Sequence, residues 1–209
     1  MYQSRFQNRS QPNEQHHHSS YSQQQGGYQS EAPAPESDEA ALDKHFQIKI
    51  FGKSFALNVF PTRTKKGWHT LTLEAAGKPH NSAPNDRRYD WQNKTVIQLT
   101  MTELPVVTAL LHSLLPSVSY SNHGQDNSKG FSIEKQERNF FVKLWAKDSG
   151  VRAIPVPFPE MALIANLALS QYTKNFENVS SDMIFKNLQT MARDLIRSGT
   201  APVVTTANR

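Results

Sequence analysis

One eight-residue stretch carries the clearest chemistry in the chain. Phe140-Phe141-Val142-Lys143-Leu144-Trp145-Ala146-Lys147 alternates with period two. On an extended strand, Phe140, Val142, Leu144 and Ala146 share one apolar side, while Phe141, Lys143, Trp145 and Lys147 share the other. This mixture of rings and cations is the chemistry that would hold an unpaired nucleic acid strand. A base stacked on an aromatic ring contributes about 1–3 kcal/mol by alanine substitution, largely irrespective of sequence. Lysines meet phosphates and release counterions, which makes binding salt-dependent. The same periodicity in the first half places Lys49, Phe51, Asn58, Phe60 and Trp68 on one open face, beside a basic turn with Arg63, Lys65 and Lys66. Lys135 has two readings: it borders the second-half face, or it flanks the core, because it alternates with Phe131 and Ile133. Arg87, Arg88, Tyr89 and Trp91 lie in a long polar loop over 76–93. They form either a clamp over the bound strand or a solvated loop with its aromatics tucked inward. Burial of the face aromatics under a tail, a helix or another subunit is the competing reading for the whole set.

Enzymatic signatures are missing. The chain has no glycine-rich phosphate loop, paired-histidine zinc motif or nucleophile elbow. His45, His69, His80, His112 and His123 are scattered. Asp86, Asp90, Glu103 and Glu160 would suggest a metal-dependent nuclease, but Glu103 and Glu160 open predicted helices, where dipole and capping explain them. No catalytic residue, metal or cofactor is expected. With no cysteine there is no disulfide framework or thiolate metal site. No apolar run approaches the roughly 20 residues of a membrane span, and the first residues lack the apolar core of a signal peptide. The expectation is a cytoplasmic protein with no membrane partner, of bacterial or mobile-element origin, since no organelle-targeting pattern is present.

Charge is unevenly distributed. Residues 1–44 carry three basic and six acidic side chains and the remainder 20 and 12, so a segment of −3 precedes a body of +8. A basic body points to a polyanionic partner. Residues 1–43 are rich in Gln, Ser, Asn, Pro and Gly and cannot bury enough apolar surface to offset their ordering entropy, so they read as a disordered polar and acidic tail. His16-His17-His18 belongs to that tail. The acidic stretch over 31–43 is read as a solubilising linker, with docking on a protein partner or on the basic body as the alternative.

The elements that must position the rings and cations come in two similar sets. Four strands are predicted over 45–51, 55–60, 68–74 and 95–101, followed by a helix that Thr100 or Thr102 caps and Pro116 ends. Four more fall over 118–122, 131–136, 140–147 and 151–156, with a second helix opened by Pro159 and Glu160. The strand-to-helix junction repeats at an offset of 57 residues. Ile97 aligns with Ile154, Leu99 with Val156, Met101 with Phe158, Glu103 with Glu160, Leu104 with Met161 and Leu110 with Leu167. A third helix, without a counterpart, is capped by Ser180 or Ser181 and stops at Gly199. The expected organisation is therefore a tail over 1–43, a folded body over 45–199 and a polar tail over 200–209. The body divides into units at about 45–115 and 117–178 and an extra helix at about 180–198.

Four antiparallel strands and a helix, twice over, resemble the Whirly and positive-cofactor-four superfamily of single-stranded-DNA-binding proteins. Lys94-Thr95-Val96-Ile97-Gln98-Leu99-Thr100-Met101-Thr102-Glu103-Leu104 looks like that superfamily's fourth strand running straight into its helix. The Lys65-Lys66-Gly67-Trp68 turn and the strand from Phe141 to Lys147 are similar to its binding sheet. The resemblance covers about residues 45–178. It implies an α+β fold of two tandem ββββα units, Whirly-like antiparallel sheets with helices on one side and nucleic acid across the other. One chain supplies both units here, where positive-cofactor-four relatives need two chains. Whirly relatives associate further, which implies a homo-oligomer. The expected function is non-enzymatic binding of single-stranded DNA, or of RNA, in DNA processing, transcription regulation or plasmid transfer. The alternatives are a protein-interaction scaffold and an RNA-binding chaperone.

Overall fold

Alternating burial along each strand builds the framework. In β1 (Ile48–Phe51) Ile48 and Ile50 are buried while Lys49 and Phe51 are exposed. The computed structural model describes residues 46–79, 82–83, 86 and 88–202. The expected tail over 1–43, Arg87 and residues 203–209 lie outside the described residues. Along the chain β1 is followed by β2 (Phe55–Arg63), β3 (His69–Gly77), β4 (Thr95–Gln98) and α1 (Glu103–Leu111). Then come β5 (Ser117–His123), β6 (Lys129–Lys135), β7 (Asn139–Ala146), β8 (Gly150–Pro157), α2 (Phe158–Thr173) and α3 (Ser181–Ser198). The strands form two four-stranded sheets, ordered β1-β2-β3-β4 and β5-β6-β7-β8, with every neighbouring pair antiparallel. Two tandem ββββα units plus a C-terminal helix is the expected α+β architecture.

The two units share one core. Leu57, Val59, Leu71, Leu73 and Ile97 from the first sheet join Ile133, Val142, Leu144, Ile154 and Val156 from the second in a single apolar cluster. Leu104, Val107 and Leu110 of α1 and Met161, Ile164 and Ala168 of α2 complete it. The second unit's helix, α2, packs against β1, β2 and β3 as well as β7 and β8, so each half depends on the other for burial. Each sheet turns one face to this core and the other outward. Among the described residues, no helix is long and apolar enough to cross a membrane.

The repeated junction holds at four of its six pairs; Leu167 and Glu160 are less buried than Leu110 and Glu103. Ile97 and Ile154, Leu99 and Val156, and Leu104 and Met161 are buried, while Met101 and Phe158 are exposed. The first copy closes with a reciprocal capping box: Glu103 Oε2 accepts the Thr100 N–H at 2.8 Å, and Thr100 Oγ1 accepts the Glu103 N–H at 3.3 Å. In the second copy the position equivalent to Thr100 is Pro157, which has no N–H. Glu160 Oε2 is correspondingly buried with no hydrogen-bond partner among the described residues.

Helix α1 is shorter than expected. It ends at Leu111 rather than at Pro116, because Ser113 takes φ 63° and the Leu114 N–H bonds back to the Ala109 carbonyl. A serine rarely supplies that left-handed stop, so the sequence did not mark it. Helix α3 matches its signals. Ser180 Oγ accepts the Met183 N–H, and Gly199 closes the helix at φ 69°.

Candidate nucleic-acid interface

Strand β7 sends Phe140, Val142 and Leu144 into the core and Phe141, Lys143 and Trp145 outward, as its alternation requires. Phe141 and Trp145 are four residues apart, or about 13 Å along an extended strand. Lys143 lies between them, its Nζ 5.2 Å from the centre of the Phe141 ring. The neighbours of Lys143 are small, while Phe141 lies between Glu134 and Pro155, and Val151 flanks Trp145. Register places Gly130 beside Trp145, Ser132 beside Lys143, and Ser119 beside Ser132, with Ala153 on the far side of Lys143. The Trp145 indole lies directly over Gly130: a β-carbon there would sit 2.3 Å from Cζ2, 2.5 Å from Cε2 and 2.5 Å from the Tyr120 carbonyl oxygen. Gly130, just ahead of the strand predicted over 131–136, lies inside β6, and it is the residue that lets the indole lie down on the sheet.

The first sheet's outer face is built differently. Lys49 and Phe51 of β1, Asn58 and Phe60 of β2, and Val96 and Gln98 of β4 share it. Phe51 is 63 % exposed. Tyr89 from the long loop stacks against it with ring centres 5.7 Å apart, and its hydroxyl donates to the Gly52 carbonyl. The Asp90 N–H donates to Gly77 O at 2.8 Å, so the loop is strapped to the sheet edge. Polar groups rather than rings fill the centre of this face. Asn58 Nδ2 donates to Glu74 Oε2, and Lys94 Nζ is 2.6 Å from Glu74 Oε1.

One expected placement changes, and two that the sequence leaves open take one of their two readings. Trp68 is not on the open face. It is half-buried, edge-on to Phe176 in the segment between α2 and α3 at 5.7 Å, and its Nε1 is buried without a partner among the described residues. Next to it, the Asn175 side chain accepts the His69 N–H at 2.8 Å and donates to the His69 carbonyl at 3.0 Å, completing the end of β3 where β4 does not reach. Lys135 pairs with Phe140, whose side chain enters the core, so it points to the inner side and flanks the core. Arg88 does not stand free as a clamp: its Nη2 is 2.8 Å from Asp86 Oδ2. That hydrogen bond holds the Asp86 carboxyl down at about 2. Arg63 sits opposite His69 at the end of the β2–β3 hairpin, with exposed Lys65 and Lys66 at its tip. Lys147 follows β7 and is exposed.

Sequence reasoning missed Arg152. It is 7 % exposed at the start of β8 and donates to Thr95 Oγ1, to Ser149 Oγ at 3.0 Å and to the Asn93 carbonyl at 2.6 Å. Burial lowers its pKa, against the pull of nearby Asp90. It ties the second sheet to the entry of β4. At the other junction, His123 Nε2 meets Glu103 Oε1 at 2.9 Å. Burial raises the Glu103 pKa, but the bonds from His123 and the Thr100 N–H outweigh it and leave the carboxyl below its ordinary value. Burial, and then the charge of Glu103, push the Tyr120 phenol up to about 12.

Two four-stranded sheets ending in helices, with aromatics and cations outward, form an architecture consistent with the Whirly-like fold class. No protein-family model matches the chain, and no curated protein matches its sequence. Among the described residues, no group of three or more histidine, aspartate or glutamate side chains is placed to hold a metal ion.

Proposed function

We propose that the chain is a non-enzymatic, Whirly-like binder of single-stranded nucleic acid, with DNA as the first reading and RNA as its variant. The observation that carries this is the Phe141–Lys143–Trp145 stripe on the outward face of the second sheet, with the indole lying over Gly130. Such a surface offers two stacking platforms with a cation between them, and the small neighbours Gly130, Ser132 and Ala153 leave room beside Lys143 and Trp145. The basic hairpin tip at Lys65 and Lys66 extends the cationic surface. The second reading, a protein-interaction scaffold, is favoured by exposed Leu163 on α2 and Met183 and Ile196 on α3.

Fluorescence-polarisation titration with single- and double-stranded oligonucleotides at two salt concentrations tests the proposal. Single strands are expected to bind at nanomolar to micromolar affinity and to weaken as salt rises. Changing Phe141, Lys143 and Trp145 together to alanine should weaken binding on the order of a hundredfold, with the circular dichroism unchanged. Unaltered affinity in that variant would remove the face from the account. No binding of any oligonucleotide would leave the scaffold. Competition between matched DNA and RNA strands separates the two nucleic acids.

A further inference from the structure

The polar centre of the first sheet's outer face is not used by base stacking. Register lines up Lys49, Asn58, Glu74 and Val96 across β1, β2, β3 and β4. Phe51 stands two residues along β1 on one side of this row, and Phe60 two residues along β2 on the other. Asn58 is only 3 % exposed, and its Oδ1 is buried with no hydrogen-bond partner among the described residues. Its Nδ2 is already given to Glu74 Oε2 at 3.3 Å. The row therefore holds three acceptors: the unmet Asn58 Oδ1 and the two Glu74 oxygens, which Asn58 Nδ2 and Lys94 Nζ now serve.

The donor on the second carboxylate oxygen is removable. The Lys94 side chain, 2.6 Å from Glu74 Oε1, is 34 % exposed, while that of Glu74 is 9 % exposed. The lysine can swing to an arriving phosphate, but the carboxylate cannot follow it into water. A strand that draws Lys94 away leaves Glu74 short of a donor, and a buried acceptor without a donor is costly. A base that brings adjacent donors restores the balance. On their pairing edges, guanine alone among the common bases offers two neighbouring donors, N1–H and the N2 amino group. Thymine and uracil offer one donor between two acceptors, and adenine and cytosine offer an amino group beside an acceptor nitrogen. Their edges set lone pairs against lone pairs here.

We propose that Asn58 and Glu74 form a guanine-reading site. The base enters edge-first between Phe51 and Phe60, its N1–H and N2 amino group donate to the Glu74 carboxylate and Asn58 Oδ1, and Lys94 passes to the adjoining phosphate. This rests on the single-strand-binding reading and deepens it: the second sheet supplies general stacking, and the first supplies base preference.

The test uses the full chain and labelled thymidine oligomers of about twelve nucleotides, with the central residue thymine, guanine or hypoxanthine, which lacks the N2 amino group. Central guanine should bind about tenfold more tightly than thymine, with hypoxanthine falling between them. Glu74→Gln should bring the guanine-to-thymine ratio close to one, with melting by circular dichroism confirming the fold. Should that variant fail to fold, the wild-type comparison of guanine with hypoxanthine still decides. Equal affinity of the wild type for all three oligomers overturns the site, as does a folded Glu74→Gln that keeps the guanine preference. Loss of the guanine preference alone leaves the single-strand reading standing, whereas no binding of the plain thymidine oligomer or the others ends both.

Discussion

The two halves of this molecule share a topology and a junction but turn different surfaces outward. The second sheet shows Phe141, Lys143 and Trp145, with Gly130, Ser132 and Ala153 beside the last two and Glu134 beside the first. The first shows Phe51 and Phe60 around a buried Asn58–Glu74 pair, with Tyr89 already stacked on Phe51. Inward positions are held alike because both sheets fill one core, and a wrong residue there costs stability directly. Outward positions are free of that constraint, so the faces can diverge in chemistry while the framework stays the same. What the difference teaches is that a duplicated scaffold need not carry a duplicated site.

The largest expected contrast is in binding. Trp145→Ala removes a platform on the second face and should weaken affinity for a plain thymidine strand about thirtyfold. Phe51→Ala removes a ring that Tyr89 already engages, and should weaken it about fivefold. Titration of both variants side by side checks the asymmetry; a greater loss for Phe51→Ala reverses the assignment of the stacking face. Next comes a pair of glycines. Gly130→Ala drives a β-carbon into the indole and the Tyr120 carbonyl, so a loss of about 1–3 kcal/mol is expected, together with weakened binding. Gly77→Ala, the first-sheet control, meets only the Phe55 ring at 3.6 Å and should be near neutral. Urea unfolding of the two variants reads the difference.

A smaller contrast lies at the junctions. Glu103 accepts from the Thr100 N–H and meets His123, whereas Glu160 has a buried oxygen that Pro157 cannot serve. Glu103→Gln should cost about 1 kcal/mol near neutrality, and Glu160→Gln close to nothing. Because the Glu103 carboxyl is held below its ordinary value, its ionised form stabilises the fold above the unfolded-state pKa. That stabilisation fades as pH falls through the lower folded-state value. The gap between wild type and Glu103→Gln should therefore close on acidification, which thermal melts at several pH values would show.

Much of this was legible in the residues. Period-two alternation marked the strands, and the 57-residue offset paired positions that the fold treats alike, such as Ile97 with Ile154. The stripe on β7 could be read because three outward residues in a row carried the signal. Long-range packing could not be. Nothing local to Trp68 says that Phe176, more than a hundred residues on, takes its edge. Gly130 falls outside the predicted 131–136 strand because a glycine in a strand has meaning only through its cross-strand partner, here Trp145. Nothing local to Arg152 signals its burial, because its partners Thr95 and Asn93 belong to the other half.

The smallest effect separates two lysines that composition treats as equals. Lys66 is exposed at the tip of the β2–β3 hairpin, whereas Lys135 pairs with inward-facing Phe140 and points to the inner side of its sheet. A lysine that touches phosphate contributes about one unit to the slope of log affinity against log salt. Lys66→Ala should lower that slope by about one and weaken all sequences evenly. Lys135→Ala should leave both slope and affinity as they are. Its positive charge still adds to the general field, but at the ionic strengths used a charge more than about 8–10 Å from the bound strand is largely screened. A drop in slope for Lys135→Ala equal to that of Lys66→Ala would mean that the strand wraps around the sheet edge to the inner side. The outward faces would then no longer be the whole of the contact.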